Sequence, residues 1–126
     1  MDFLSSNTAL MLQRSMDFLW TKQSCILDNI ANVETPNYQT KYATFEESLQ
    51  QAVASAGKSG SAKAMRSAIE ETPVAVHQAA ESTRLDGNGV NVTEQMVELS
   101  RNGYQMQYVM DAINSDFSLL RTAIKG

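Results

Sequence analysis

Few side chains in this sequence could carry out chemistry, and they are spread along the chain. Cys25 is the one cysteine and His77 the one histidine, so no Cys/His cluster has the spacing of a metal site. A nucleophile or general base also needs a partner that activates it, and no dyad spacing links either residue to a carboxylate. We therefore expect Cys25 to be a small buried hydrophobic residue and His77 to be solvated or packed. We expect no enzyme activity, cofactor, metal or small-molecule substrate; a small hydrolase that uses either residue is the alternative.

Composition limits the partners and the compartment. The 126 residues suit a single domain, and 10 Lys plus Arg against 14 Asp plus Glu give a net charge of −4. An acidic chain lacks the basic surface with which proteins neutralise phosphates, so we expect no nucleic-acid partner. The first residues lack the features of a cleaved secretory signal, and no stretch reaches the roughly 18 apolar residues of a membrane span. A lone cysteine forms no internal disulfide, so the fold must be held by packing.

The elements that position these residues can be inferred from apolar spacing, which is clearest in the C-terminal third. Ten positions there follow alternating steps of four and three, and only Gly103 among them is not a large apolar residue. They are Val92, Met96, Leu99, Gly103, Met106, Met110, Ile113, Phe117, Leu120 and Ile124. Asn91 and Thr93 are candidate N-caps, which predicts a helix from about Thr93 to about Ile124. Gly103 either permits close approach of another helix or is a tolerated defect.

The N-terminal third repeats this arrangement. Its row consists of Leu12, Met16, Leu19, Gln23, Ile26, Ile30 and Val33. Gln23 is the one polar member, and it either fixes the register of the helix pair or is a tolerated, partly exposed side chain. Pro36 disfavours helical geometry in the residue before it, which predicts that this helix stops near Glu34.

The two rows predict a mainly α protein, whose long N- and C-terminal helices pair as an antiparallel, coiled-coil-like bundle. We expect a single domain with an N-terminal helix within residues 1–34, a turn and variable middle region within 35–91, and a C-terminal helix within 92–126. A C-terminal helix roughly 48 Å long, at about 1.5 Å per residue, exceeds what a small globule can cover. Apolar surface is therefore left over for neighbouring subunits.

The middle region is predicted to be partly extended and partly mobile. Residues 38–45 could be extended and 45–53 helical, whereas the tract from Ala52 to Ala64 is too rich in small residues to offset its ordering entropy. We expect a mobile loop there. Val74 and Val76 alternate as in a short strand. Pro36-Asn37 suits the centre of a type II turn, in which asparagine tolerates the left-handed conformation.

Residues 27–38 read LDNIANVETPNY, which closely resembles the N-terminal signature of the bacterial flagellar rod and hook family. In that family the signature is Asn-Ile-Ala-Asn, two variable residues, and Thr-Pro-Gly-Tyr. Its counterparts in this sequence are Asn29, Ile30, Ala31, Asn32, Thr35, Pro36, Asn37 and Tyr38. Asn37 replaces the usual glycine, and this departure is compatible with the same turn.

A second resemblance covers residues 85–92, LDGNGVNV, and the long helical ending to Ile124. With the short length, these features are most similar to the proximal rod members of the family. The resemblance implies a place in the basal body, in the rod that crosses the periplasm, and export through the flagellum's own type III channel without a cleaved signal. It also implies other rod proteins and copies of this chain as partners, with the membrane ring and export gate at the base of the rod.

The sequence thus predicts a non-enzymatic structural subunit whose terminal helices pair within the chain and whose remaining faces contact neighbours head to tail. The expected packing and assembly residues are Leu12, Met16, Leu19, Ile26, Ile30, Met96, Leu99, Met106, Met110, Ile113, Phe117, Leu120 and Ile124. The methionines among them either fill the core or adapt to non-identical neighbours. A soluble coiled-coil adaptor or secretion chaperone would share the heptads and is the alternative function.

Overall fold

Three helices and a two-stranded ribbon make up the described part of the chain. The computed structural model describes residues 7–45, 49–51, 54, 57, 62–79 and 89–125. In chain order the elements are α1 (Asn7–Ala31), β1 (Lys41–Thr44), α2 (Ala62–Glu71), β2 (Ala75–Gln78) and α3 (Val92–Lys125). The prediction of a mainly α protein with long terminal helices is confirmed.

The ends of α3 are stabilised by the residues at its boundaries. The Asn91 side-chain oxygen accepts a hydrogen bond from the Glu94 amide at 3.1 Å, so Asn91 is the N-cap, as predicted. Glu94 lies in the first turn and Lys125 in the last, where their charges oppose the helix dipole. With 34 residues, the helix is roughly 51 Å long at about 1.5 Å per residue. Within the residues described here, no helix is both long and apolar enough to cross a membrane.

Helices α1 and α3 pack side by side in opposite directions. Near the end of α1, Asn29 donates to the Gln95 side-chain oxygen at 3.0 Å, near the start of α3. Earlier in α1, the Leu19 carbonyl accepts a bond from the Asn102 side chain at 3.0 Å. Residue numbers therefore fall along α1 as they rise along α3, which confirms the predicted antiparallel pairing.

The hydrophobic core lies on a second side of α1, against the middle region. Its buried members are Phe18, Leu19, Phe45, Leu49 and Ile69. The rings of Phe18 and Phe45 stack with their centroids 5.6 Å apart. The Arg14 guanidinium lies 5.4 Å from the centre of the Phe45 ring and also donates to the Thr72 carbonyl. Because these contacts join α1 to the residues that follow β1 and to α2, α1 is the element around which the others assemble.

The predicted extended segments pair with each other. Residues 41–44 of β1 run antiparallel to residues 75–78 of β2, with Tyr42 opposite His77 and Ala43 opposite Val76. The extended segment expected within residues 38–45 and the strand expected around Val74 and Val76 are therefore both confirmed, the second beginning at Ala75.

The loop expected from Ala52 to Ala64 is wrong where the structure describes that tract, and the mobility expected of it stays a prediction. Ala62 to Ala64 form the first turn of α2, and Ala54 and Gly57 are also helical. The remaining residues of the tract lie outside the described residues. Helix α2 forms because Met65 and Ile69, four residues apart, reach the core together, while Arg66 pairs with Glu70 at 3.2 Å on its outer side. Those flanking residues, rather than the small-residue tract itself, carried the helical signal.

Candidate assembly surface and turn

Asn29 is the centre of the turn motif. The side chain is 1% exposed, and it takes the position that a third strand would occupy beside β1. Its amide group donates to the Lys41 carbonyl at 2.8 Å, and its oxygen accepts from the Lys41 amide at 2.8 Å. The second amide proton goes to Gln95, and the Tyr38 hydroxyl approaches the same oxygen at 3.4 Å. One side chain thus links α1, the ribbon and α3.

Lys41 depends on Asn29 because of its place in the ribbon. The Ala79 amide donates to the Thr40 carbonyl at 2.8 Å, so Thr40 and Ala79 form a hydrogen-bonded pair. Hydrogen-bonded and non-hydrogen-bonded pairs alternate along an antiparallel ladder, so the main-chain groups of Lys41 point away from β2. The Asn29 side chain forms the hydrogen bonds that the Lys41 amide and carbonyl would otherwise lack.

The rest of the motif ends α1 and turns the chain. The Asn32 side chain donates to the Asp28 carbonyl at 2.8 Å, and its oxygen accepts from the Thr35 hydroxyl at 3.0 Å. Asn37 has a φ of 62°, the left-handed conformation that the sequence predicted. Helix α1 stops at Ala31, three residues before the predicted end near Glu34. Over residues 32–38 the backbone forms the hydrogen bonds of a turn, so the last residues expected in the helix lie in the turn instead.

Tyr38 ties the turn to the segment that leads into α3. Its carbonyl accepts from the Gly89 amide at 2.9 Å, and the neighbouring Thr40 hydroxyl donates to the Gly89 carbonyl at 2.8 Å. Burial raises the pKa of the Tyr38 phenol above its ordinary value, with the Lys41 charge acting in the opposite direction. The turn therefore holds the end of α1 beside the start of α3.

All predicted members of the α1 row lie on inward sides of the helix. Leu19 and Ile26 are buried, and Leu12, Met16 and Ile30 are partly buried. Gln23 is also partly buried, and its side-chain oxygen accepts from the Asn102 amide at 2.9 Å. The polar interruption of the row thus has a polar partner on α3.

The predicted α3 row divides into two sets. Every second member is partly buried and lies on the side that faces α1: Leu99, Met106, Ile113 and Leu120. The alternate members Met96, Met110, Phe117 and Ile124 are exposed, and a β-carbon added at Gly103 would meet open space. Among the described residues, therefore, no other helix approaches Gly103 closely. Val92, seven residues before Leu99, is exposed as well. The positions completing the seam are Gln95, Asn102, Val109 and Asp116, seven residues apart and buried or partly buried.

Sequence reasoning missed the two fully buried amides on α3 because it looked for apolar residues. Gln95 is 7% exposed and Asn102 is 0% exposed, and each bonds an amide side chain of α1. The available signal was Gln23 in the α1 row, because a buried polar side chain needs a hydrogen-bond partner and the paired helix could supply one.

Two exposed apolar stripes run along α3. We call Val92, Met96, Met110, Phe117 and Ile124 the methionine stripe, and Val97, Tyr104, Tyr108 and Leu119 the tyrosine stripe. Tyr104 and Tyr108 are 75% and 77% exposed, and their spacing of four places them on one side of the helix. Sequence reasoning missed this stripe because its members lie off the heptad row.

Each stripe borders a groove between α1 and α3. The groove beside the tyrosine stripe has a volume of about 410 Å³ and is lined by Phe18, Phe45, Leu49 and Val109 as well as both tyrosines. The groove beside the methionine stripe has a volume of about 360 Å³ and is lined by Leu12, Met16, Ile113 and Phe117. Apolar side chains from outside the chain could therefore enter on either side of the helix pair.

The residues that could carry out chemistry lie on different elements, Cys25 on α1 and His77 on β2. Cys25 is buried on α1, and burial, followed by the Asp28 charge, raises the pKa of its thiol. His77 is exposed on β2, where its ring stacks on Tyr42 at 5.3 Å and its Nε2 lies 2.9 Å from the Thr44 hydroxyl. Across the described ranges no group of three or more His, Cys, Asp and Glu side chains could hold a metal ion.

Sequence comparison gives relatives that match almost the whole chain. It is 30% identical over 125 residues to the flagellar basal body rod protein FlgB of Bacillus subtilis, covering 98% of this chain and 97% of that protein. It is 29% identical over 115 residues to FlgB of Cereibacter sphaeroides, covering 84% of each chain. A 40-residue stretch, 32% of this chain and 30% of its counterpart, is 50% identical to FlgB of Borrelia hermsii. No protein-family model matches the sequence.

Proposed function

We propose, from the premise that this chain belongs to the FlgB family of flagellar basal body rod proteins, that it builds its part of the rod by burying the two stripes of α3 against neighbouring subunits. The chain is a structural subunit of the flagellar basal-body rod, and it assembles with other basal-body proteins. The relatives' shared name does not favour the adaptor or chaperone alternative.

The observation that carries the proposal is the distribution of apolar side chains around α3. A helix that is apolar on one face only can bury that face against one partner. Helix α3 carries apolar residues toward α1 and also in both exposed stripes. Monomeric proteins rarely expose contiguous apolar surface of this kind, and such surface marks interaction sites. Tyrosine is also among the residues enriched where proteins bind one another.

The stripes support two different neighbour contacts on each subunit. They flank the α1–α3 seam and border separate grooves, so one neighbour on each side can insert side chains beside them. A subunit with two unlike contact surfaces joins its neighbours head to tail, and such contacts generate open helical assemblies. The predicted assembly residues Met96, Met110 and Ile124 belong to the methionine stripe, while Leu99, Met106, Ile113 and Leu120 support it from the seam.

The wider setting belongs to the same proposal. The rod that this chain builds crosses the periplasm, and the subunit reaches it through the flagellum's type III export channel without a cleaved signal. Its neighbours are copies of itself and other rod proteins, with the membrane ring and export gate at the base. The subunit has no catalytic activity of its own; its one cysteine is buried on α1 and its one histidine is exposed on β2.

A charge placed in the tyrosine stripe tests the proposal. Tyr108→Asp should leave the stability of the purified chain within about 0.5 kcal/mol, because the side chain is 77% exposed, but should prevent rod assembly. Gln107→Asp adds the same charge at the adjacent exposed position and is the matched control. Swimming and the yield of isolated basal bodies are measured in a strain whose sole copy carries each variant. Normal assembly with Tyr108→Asp would show that the stripe is not an interface.

A charge in the seam tests the pairing of the helices. Ile113 is partly buried beside Leu12 and Met16, and burying an aliphatic side chain contributes roughly 1.5–3 kcal/mol. Ile113→Asp should therefore both lower the urea midpoint of the chain and abolish rods. A strain that swims normally with this variant would contradict the role of the helix pair in assembly.

A further inference from the structure

The apolar part of the α1–α3 seam does not by itself define how the helices align. Leu12, Leu19 and Ile26 recur every seven residues on α1, and Leu99, Met106, Ile113 and Leu120 do so on α3. Sliding one helix by a heptad, roughly 10.5 Å at about 1.5 Å per residue, would bring the same kinds of side chain together again. A feature other than apolar packing must exclude the shifted alignments.

Two amide pairs break this repetition. Asn102 donates to the Gln23 side-chain oxygen at 2.9 Å, to the Leu19 carbonyl at 3.0 Å and to the Met106 sulfur at 3.5 Å. Seven residues earlier on α3, Gln95 accepts from Asn29 at 3.0 Å. The two α3 amides are thus one heptad apart, whereas their α1 partners are six residues apart.

A shift by one heptad would break one of the two amide pairs. In one direction Asn102 would meet Met16 in place of Gln23, and this side chain supplies no oxygen. In the other direction Asn102 would take the place of Gln95 beside Asn29, and Gln95 would lie past the end of α1 without its partner. Leaving a buried amide unpaired is unfavourable, so the native alignment is the one in which both amides of α3 are paired.

Asn102 is also a poor choice for stability alone. Its side-chain oxygen is buried and has no hydrogen-bond partner among the described residues. A leucine in that position would bury apolar surface in place of this unpaired oxygen, although it would leave the Gln23 side-chain oxygen without its bond. Polar residues at seam positions generally reduce stability while fixing register, and Asn102 has the surroundings expected for that role.

We propose that Asn102 and Gln23, together with Gln95 and Asn29, determine the register of the helix pair and exclude alignments shifted by a heptad. The register sets where both exposed stripes stand relative to the turn and the ribbon. A slipped pair would move the stripes by roughly 10 Å, so neighbouring subunits could no longer meet all of them at once. This role depends on the pairing within the chain and not on which neighbours bind the stripes.

Spin-label distances test the proposal on the full chain. In a Cys25→Ala background, nitroxides at Ser24→Cys and Ser118→Cys occupy exposed positions that are offset along the helix axes. A one-heptad slip changes their separation by most of about 10 Å. The parent should give one distance, and Asn102→Leu should give a second population of about 10% or more.

The controls separate register from packing. Met106→Leu changes volume little at a neighbouring seam position and should keep the single distance. A single narrow distance in Asn102→Leu, with a midpoint either higher or lower than the parent's, would overturn the proposal. If Asn102→Leu fails to fold, the double variant Gln23→Leu/Asn102→Leu, which leaves neither amide unpaired, decides the question by the same measurement. One distance in the double variant would also overturn it.

Discussion

Replacing Asn29 should destabilise the chain far more than replacing Asn32, although both belong to the same sequence motif. Asn29→Ala removes a side chain that donates to Lys41 and Gln95 and accepts from the Lys41 amide. Three partner groups are left without their bonds, and each unsatisfied buried group costs about 1–3 kcal/mol. Water that enters the vacated space can satisfy part of this, so we take the lower end and expect a loss of about 3 kcal/mol.

Urea unfolding followed by circular dichroism measures this loss. With a slope of about 1–3 kcal/mol per M for small proteins, the midpoint should fall by about 1–3 M. Asn29→Asp preserves shape but cannot donate to the Lys41 carbonyl or to Gln95, and it adds a buried charge, so it should be at least as damaging.

Asn32→Ala is the matched control. Its side chain bonds Asp28 and Thr35 within the turn, and the change should cost about 1 kcal/mol or less. Equal losses in Asn29→Ala and Asn32→Ala, or a loss below 1 kcal/mol in Asn29→Ala, would refute the view that Asn29 links three elements.

Three further predictions concern the stability of the purified chain. Phe45→Ala removes a ring that is 2% exposed and stacked on Phe18, so it should cost about 3–5 kcal/mol in urea unfolding; a loss as small as that of Tyr104→Ala would contradict the core assignment. Gly103→Ala should stabilise the chain by about 0.5–1 kcal/mol, because the new methyl group meets open space in the helix; a loss of stability would show that the space is occupied. Burial raises the pKa of both Cys25 and Tyr38, so the folded state keeps protons that the unfolded chain releases. The urea midpoint should therefore fall as the pH rises from about 9 through 11, and a midpoint rising over that range would be the contrary result.

The helices, their direction and the turn could be predicted from the sequence because each rests on local chemistry. Apolar residues at steps of four and three define α1 and α3, Asn91 caps α3, and Pro36-Asn37 ends the first helical region. These signals need no knowledge of the distant chain, and the structure shows each of them in place.

The composition of the seam could not be predicted in the same way. A periodic apolar row cannot distinguish Met110 from Asn102 as a seam residue, since burial of an amide becomes favourable only when a partner such as Gln23 stands opposite. The same holds for Asn29. Its contribution to stability comes from hydrogen bonds to Lys41 and Gln95, which the ribbon and α3 place beside it. Helix α2 was missed because Ile69 is anchored by core contacts rather than by its own segment.

The assembly surface could be foreseen only in outline. The excess of apolar residues on a long C-terminal helix predicted contacts beyond the chain, but not that the row would divide between the seam and the methionine stripe. Tyr104 and Tyr108 can be identified as part of this surface only from the structure, which shows both side chains exposed on α3 beside the groove that Phe45 lines.

A cryo-EM map of isolated basal bodies, with this chain traced in the rod, tests the central claim most directly. We predict that α1 and α3 remain paired as they are in the single chain, and that Tyr104, Tyr108 and Met110 are buried against neighbouring subunits on two sides of α3. A rod in which these side chains face open solvent, or in which α1 and α3 of one subunit are separated, would contradict the account.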